Sequence, residues 1–301
     1  MSEKVIKSYK AFDKNMQCRG FQYEVGKEYE MDGEIKCCDR GFHACKSPME
    51  VWDHYDMLSS RFAEVEQSGK IDEEGNSTKV CSSRIKIKAE LKLADIIKVG
   101  VEWLKDITSP TKVKTDIAKN NNGGYSAKIG SSGCSAKIGS SGCSAKIGSS
   151  GDYAKIGSGG DSAQIGSSGD YAQIGSSGCS AQIGSSGDSA KIGSSGDSAK
   201  IGSSGCSAKI GSSGDSAQIG SSGDYAQIYS TGEDSVVMCA GKESKAKAKV
   251  GSWITLTEWE WNDDKKRRVP LCVKTEYVDG NNIKADTWYQ LQNGEFVEVT
   301  V

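Results

Sequence analysis

Ala190-Lys191-Ile192-Gly193-Ser194-Ser195-Gly196-Asp197-Ser198 is one copy of a nine-residue unit that fills the middle of the chain. Alanine recurs every ninth residue from Ala127 to Ala226, and isoleucine follows two places behind each, from Ile129 to Ile228, which makes twelve copies in phase. Ala-Lys-Ile is a fragment of period-2 pattern, with the apolar pair on one face and Lys or Gln on the other. Gly-Ser-Ser-Gly then supplies a corner, which glycine turns with positive φ at no steric cost. A strand this short cannot bury its own apolar face. The copies must therefore stack, Ile on Ile and Ala on Ala, as a β-solenoid. A Gly/Ser linker is the competing reading, and a linker has no reason to hold isoleucine in register.

Three tyrosines set the size of a coil. Tyr153, Tyr171 and Tyr225 replace the serine before the alanine, at separations of 18 and 54 residues. Both are multiples of 18, so a coil of two units and two β faces puts all three on one column. Six such coils at about 4.8 Å each predict a rod about 29 Å long. In this register Ile174 lies in the core and Gln173 on the surface.

Working outward, the repeat's chemistry is mild. It resembles the calcium-binding nonapeptide roll in length, but the ligand aspartate sits one residue early and four copies carry cysteine there (Cys134, Cys143, Cys179, Cys206). Calcium needs several oxygen ligands per ion, so none is expected. Seven Lys and seven Asp cancel between Tyr125 and Ile228, which predicts a mixed, solvated surface and no acidic DNA mimic. The candidate binding residues on it are Lys128, Lys137, Lys146, Lys155, Tyr153, Tyr171, Tyr225, Asp152, Asp170 and Asp224. Cys134 and Cys206 share a column four coils apart, and Cys143 and Cys179 share another two coils apart, too far for disulfides. They read as free thiols of a reducing compartment.

The flanks are different. Residues 1–118 read as a mixed α/β (α+β) domain. Ser47-Pro48-Met49-Glu50 has the form of a helix start and predicts a helix burying Val51, Trp52, Tyr55 and Leu58. Arg84 to Leu93 alternates as a half-buried strand, and Ala94 to Lys105 reads as a helix leading, after Pro110, into the rod. Ala118-Lys119-Asn120 keeps the repeat phase as a degenerate first coil. The solenoid is assigned to 119–238 and a small β-rich domain to 239–301. There Trp253 to Trp261 alternates with aromatics on one face, and Asp279-Gly280 and Asn293-Gly294 mark turns. Lys265-Lys266-Arg267-Arg268 follows two acids and reads as a solvated hairpin turn.

Of 301 residues, 38 are Lys or Arg and 40 Asp or Glu, a net charge of -2 that excludes gripping nucleic acid or anionic membrane by bulk charge. No apolar run has the length of a membrane span or a signal peptide. The only histidines are His43 and His54. His54 falls on the predicted helix and reads as a partly buried packing residue. Cys37, Cys38, His43 and Cys45, with Cys18 upstream, are the one metal-capable cluster, but they lack the paired C-x-x-C spacing of a zinc site. His43 with Cys45 is the one candidate catalytic pair. No P-loop or dinucleotide fingerprint occurs, and no cofactor is expected.

Gly20-Phe21-Gln22-Tyr23-Glu24-Val25-Gly26-Lys27-Glu28-Tyr29, with Gly41-Phe42-His43-Ala44-Cys45, resembles the signature of an uncharacterised domain found in phage, prophage and gut-bacterial proteins. Its members often carry Ala-Lys-Ile-Gly-Ser-Ser-Gly arrays and end much as this chain does, around Ala285-Asp286-Thr287-Trp288-Tyr289. The resemblance implies a phage or mobile-element setting in the bacterial cytoplasm and brings no known activity. The expectation is a non-enzymatic binding protein whose rigid rod presents or spaces surfaces for a protein partner, a host protein such as a defence component. A virion structural role is one alternative. An enzyme, perhaps a transferase, with its site at His43 and Cys45 is the other.

Overall fold

The computed structural model describes residues 4–73, 78–107 and 127–300. The chain divides after Trp103 into two compact units. The readings at Pro110 and Ala118-Lys119-Asn120 lie outside the described residues.

The first unit is β-rich. Its strands are β1 (Ile6–Phe12), β2 (Gln17–Cys18), β3 (Phe21–Gln22), β4 (Glu28–Glu30), β5 (Phe42–Cys45), β6 (Arg61–Glu73) and β7 (Lys79–Leu91), followed by helix α1 (Leu93–Ile107), which spans the division between the units. β1 pairs with β6 and β5, β5 with β7, and β7 with β6, so the ladder closes on itself. Gln67 ties the ring together from inside: its Oε1 accepts from Ser8, and its Nε2 donates to the Phe42 and Val80 carbonyls. Phe12, Phe42, Val65, Ile85 and Ile87 fill the interior. Gly41 has φ +135°, and a Cβ there would meet the Cys81 sulfur at 2.1 Å. The predicted strand and α1 form, with β7 starting earlier than Arg84.

The helix predicted at Ser47 is corrected to a single 3₁₀ turn, Met49–Asp53. Its capping box does not form. The Ser47 hydroxyl is buried without a hydrogen-bond partner, and the Glu50 carboxylate instead accepts from the Thr78 amide and hydroxyl. Met49, Val51 and Trp52 are still buried, but His54 is exposed rather than packed.

In the second unit the nonapeptides form twelve four-residue strands, β8 (Lys128–Ser131) to β19 (Gln227–Ser230), one every nine residues. Odd and even members separate into two parallel sheets. Each strand pairs in register with the one 18 residues on, as Ile147 does with Ile129 and Ile165. Every repeat alanine and isoleucine is buried. The array runs one coil beyond the twelve copies: β20 (Val236–Cys239) stacks on β18, and β21 (Lys245–Lys247) on β19. That makes seven turns, not six.

The corner glycines act differently from expectation. Positive φ falls on the residue before each alanine, Ser or Tyr, between 53° and 59° from Ser135 to Tyr225. That conformation costs a non-glycine residue some strain. It is held by a bond between coils, such as the Tyr153 amide to the Asp170 carbonyl at 2.8 Å. The second glycine of each unit is needed for close approach: a Cβ on Gly178 would lie 2.0 Å from the Gly160 carbonyl oxygen.

The end of the chain continues both sheets. β22 (Trp253–Asn262) lies parallel on β20, and β23 (Arg267–Tyr277) returns antiparallel to it. β24 (Tyr289–Gln292) and β25 (Glu295–Glu298) close the other sheet, joined by an Asn293-Gly294 turn with both residues at positive φ. Ile254, Leu256, Tyr289 and Leu291 belong to the same core as the isoleucine columns. The predicted basic hairpin turn joins β22 to β23 and is exposed.

Candidate functional site

The two sheets of the solenoid carry the same residues outward, yet present different surfaces. We call the sheet built on β8 the front and that built on β9 the back. On the front, Lys128, Lys146, Gln164, Gln182 and Lys200 are exposed, and beside them runs a column of exposed glycines, Gly130, Gly148, Gly166, Gly184 and Gly202. A Cβ on any of those glycines would meet nothing within 4 Å. The result is a side-chain-free groove flanked by Lys and Gln. On the back the matching glycines are buried, Lys137 and Lys155 are half-buried, and Gln173 is only 3% exposed. Gln173 is therefore no surface residue. Burial also lowers the pKa of Lys209 on that side.

The front groove ends on an apolar patch. Val236 and Met238 take the places of the Lys/Gln and glycine columns on β20, and the next strands add Trp253, Val273 and Tyr277. All five are exposed, from 43% for Val236 to 61% for Val273, and the Trp253 and Tyr277 rings lie 5.1 Å apart. A contiguous exposed patch of this kind marks interaction surfaces in soluble proteins. The alternation of Trp253 to Trp261 was legible, but it faces solvent, while Ile254 and Leu256 face the core.

Tyr153 and Tyr171 do share a column: their rings stack at 5.0 Å with planes 5° apart. Tyr225, three coils on, has the Lys242 ammonium over its ring. The aspartates are occupied structurally. Asp152 and Asp170 each accept, through Oδ1, the backbone N–H 18 residues ahead, and Asp224 accepts that of Lys242. All seven repeat aspartates do the same. Asp170→Ala is expected to cost about 1 kcal/mol by orphaning the Asp188 amide. Cys179→Asp should gain part of that back for Asp197. Urea titrations of both variants check the pair.

In the first unit, His43 and Cys45 line one cleft of about 1070 Å³ with Lys10, Cys18, Phe21 and Tyr55. His43 Nε2 accepts from the Cys38 amide at 2.9 Å, and burial lowers its pKa. Burial pushes the Cys45 thiol up to about 12, which keeps it protonated and unsuited to attack as a thiolate. Cys37 donates its thiol to the Asp72 carbonyl, and Cys38 takes a bond from Lys79. Among the described residues, no group of three or more His, Cys, Asp or Glu is placed to hold a metal ion. All eleven cysteines are free thiols. The residue that sequence reasoning missed is Lys10, 4% exposed, whose ammonium donates to the His43 carbonyl at 2.9 Å and to the Cys18 sulfur at 3.4 Å. Its neighbours Tyr9 and Ala11 are also buried, so β1 lacks the alternation that would have marked Lys10 as inward.

No helix among the described residues is long and apolar enough to cross a membrane. No curated protein and no solved structure matches the chain. Residues 6–99, which hold the whole cleft, match the family model described as Domain of unknown function (DUF7666).

Proposed function

We propose that this is a binding protein that engages another protein along the front of its solenoid. The observation that carries the reading is the apolar patch of Val236, Met238, Trp253, Val273 and Tyr277, continuous in one sheet with the glycine-floored groove. Exposed Trp and Tyr with Met make up the residue set that anchors protein interfaces. The nonapeptide strands of that face carry the exposed lysines Lys128, Lys146 and Lys200 and no acid, which suits a partner with acidic residues along its length. Stacked, in-register strands give the surface rigidity, so little ordering entropy opposes association. In the mobile-element setting that the sequence resemblance implies, the partner is a host protein.

The tagged protein, expressed in a bacterial host, is expected to retain a partner that Met238→Lys and Val273→Lys release. His43→Ala and Cys45→Ser should retain it. A partner held equally by both patch variants would overturn the reading, and one released by His43→Ala with the fold intact would move the function to the cleft.

A further inference from the structure

Lys10 is a buried lysine with no anionic partner among the described residues. Its two hydrogen-bond acceptors are a carbonyl oxygen and a thiol, and its other close neighbours are the rings of Phe12 and Tyr23, each 5.5 Å from Nζ. No carboxylate pairs with it among the described residues, whereas Lys4, Lys7, Lys27, Lys46 and Lys88 of the same unit each pair with a glutamate at the surface. An ammonium carries three donors, so one remains for a ligand. Leaving a desolvated charge unpaired is unfavourable unless something else supplies the counter-charge. Burial accordingly lowers the Lys10 pKa.

The surroundings say what the counter-charge belongs to. Arg19, on the turn between β2 and β3, lines the same cleft, is exposed and makes no hydrogen bond or ion pair among the described residues. Arg40 and Lys79 add two more cations against Asp39 and Asp53, so positive charge is in excess. Phe21 is 44% exposed on the cleft wall and is held by edge contacts to Tyr23 at 4.8 Å, Tyr29 at 5.2 Å and Phe42 at 6.0 Å. An aromatic ring that is exposed at a cleft wall and held by its neighbours can serve as a stacking platform, and Tyr23 contacts both this ring and Lys10. The volume suits a ligand of nucleotide size.

We propose that the cleft is a nucleotide-binding site in which Lys10 and Arg19 hold phosphate and Phe21 stacks on the base. No glycine-rich loop is involved, because the donors are side chains brought together from β1 and the β2–β3 turn. The cleft belongs to the first unit and the front of the solenoid to the second, and neither proposal depends on the other.

Calorimetric titration of the full-length protein with ADP, AMP, adenosine and inorganic phosphate tests it. ADP and AMP are expected to bind saturably, at least tenfold more tightly than either adenosine or phosphate. Arg19→Gln, at an exposed position, should weaken ADP at least fivefold without changing the melting temperature. Lys10→Met should weaken it at least tenfold while raising the melting temperature, since an apolar isostere removes a buried unpaired charge. Phe21→Ala should weaken AMP and leave phosphate unchanged. Absence of saturable ADP binding, or ADP affinity unaltered by both Arg19→Gln and Lys10→Met, would overturn the proposal.

Discussion

Ile174→Asp is expected to cost about 4 kcal/mol or more, because it places an unpaired carboxylate between two stacked isoleucines with no polar group to receive it. Ile174 is fully buried and pairs in register with Ile156 and Ile192. At roughly 2–4 °C per kcal/mol for a unit of this size, the melting temperature should fall by about 10 °C. Each coil touches only its neighbours, so the array can open at the lesion before the rest melts. Hydrogen exchange resolved by peptide should therefore show protection lost first around residues 156–192. The matched control is Gln182→Glu, exposed on the front sheet; Gln173→Glu is unsuitable because that position is buried. Equal tolerance of Ile174→Asp and Gln182→Glu would mean that the stacked core does not exist in solution.

Gly178→Ala should be nearly as damaging, by a different route. Its Cβ would sit 2.0 Å from the Gly160 carbonyl oxygen and 2.4 Å from the carbonyl carbon. Both atoms are backbone, so no rotamer relieves the clash and the coils must move apart. Separation strains the bonds that cross this corner, such as Cys179 N–H to Asp161 Oδ1 at 2.9 Å. A cost of about 3 kcal/mol follows, at the upper end for overpacking. Gly184→Ala is the control: its Cβ meets nothing within 4 Å and its φ is not in the left-handed region. It should change stability by less than about 1 kcal/mol. Chemical denaturation of the two variants side by side decides the matter, and equal losses would refute the close-approach role.

These two contrasts also show what was legible in the sequence. Ile and Ala columns follow from period alone, and the coil length from three tyrosines, because in-register stacking turns sequence distance directly into spatial position. The glycine role was misread since both turn formation and close approach select glycine, and only the positions of neighbouring coils tell them apart. The difference between front and back sheets was invisible for a related reason: Lys128 and Lys137 sit in identical units and differ only in what surrounds them. In the first unit the ring of β1, β5, β7 and β6 joins residues as far apart as Ile6 and Gln67, a pairing that no local pattern encodes. Ser47-Pro48-Met49-Glu50 misled because Glu50 is bound by Thr78 from across the fold. Lys10 went unnoticed because lysine in a strand usually means solvent, and only the cleft identifies it as the exception.

The alternation of units between two sheets imposes a rule of parity on how such a chain can lengthen or shorten. Tandem units this similar invite gain or loss of copies by unequal recombination. Removing one nonapeptide would rotate everything downstream by half a coil, so that β22, with its Ile254 and Leu256, would end on the wrong side relative to the first strands. Removing two would leave every later residue on its original side, with the rod simply one storey shorter. Viable length variants should therefore differ by 18 residues, even though the genetic unit is nine.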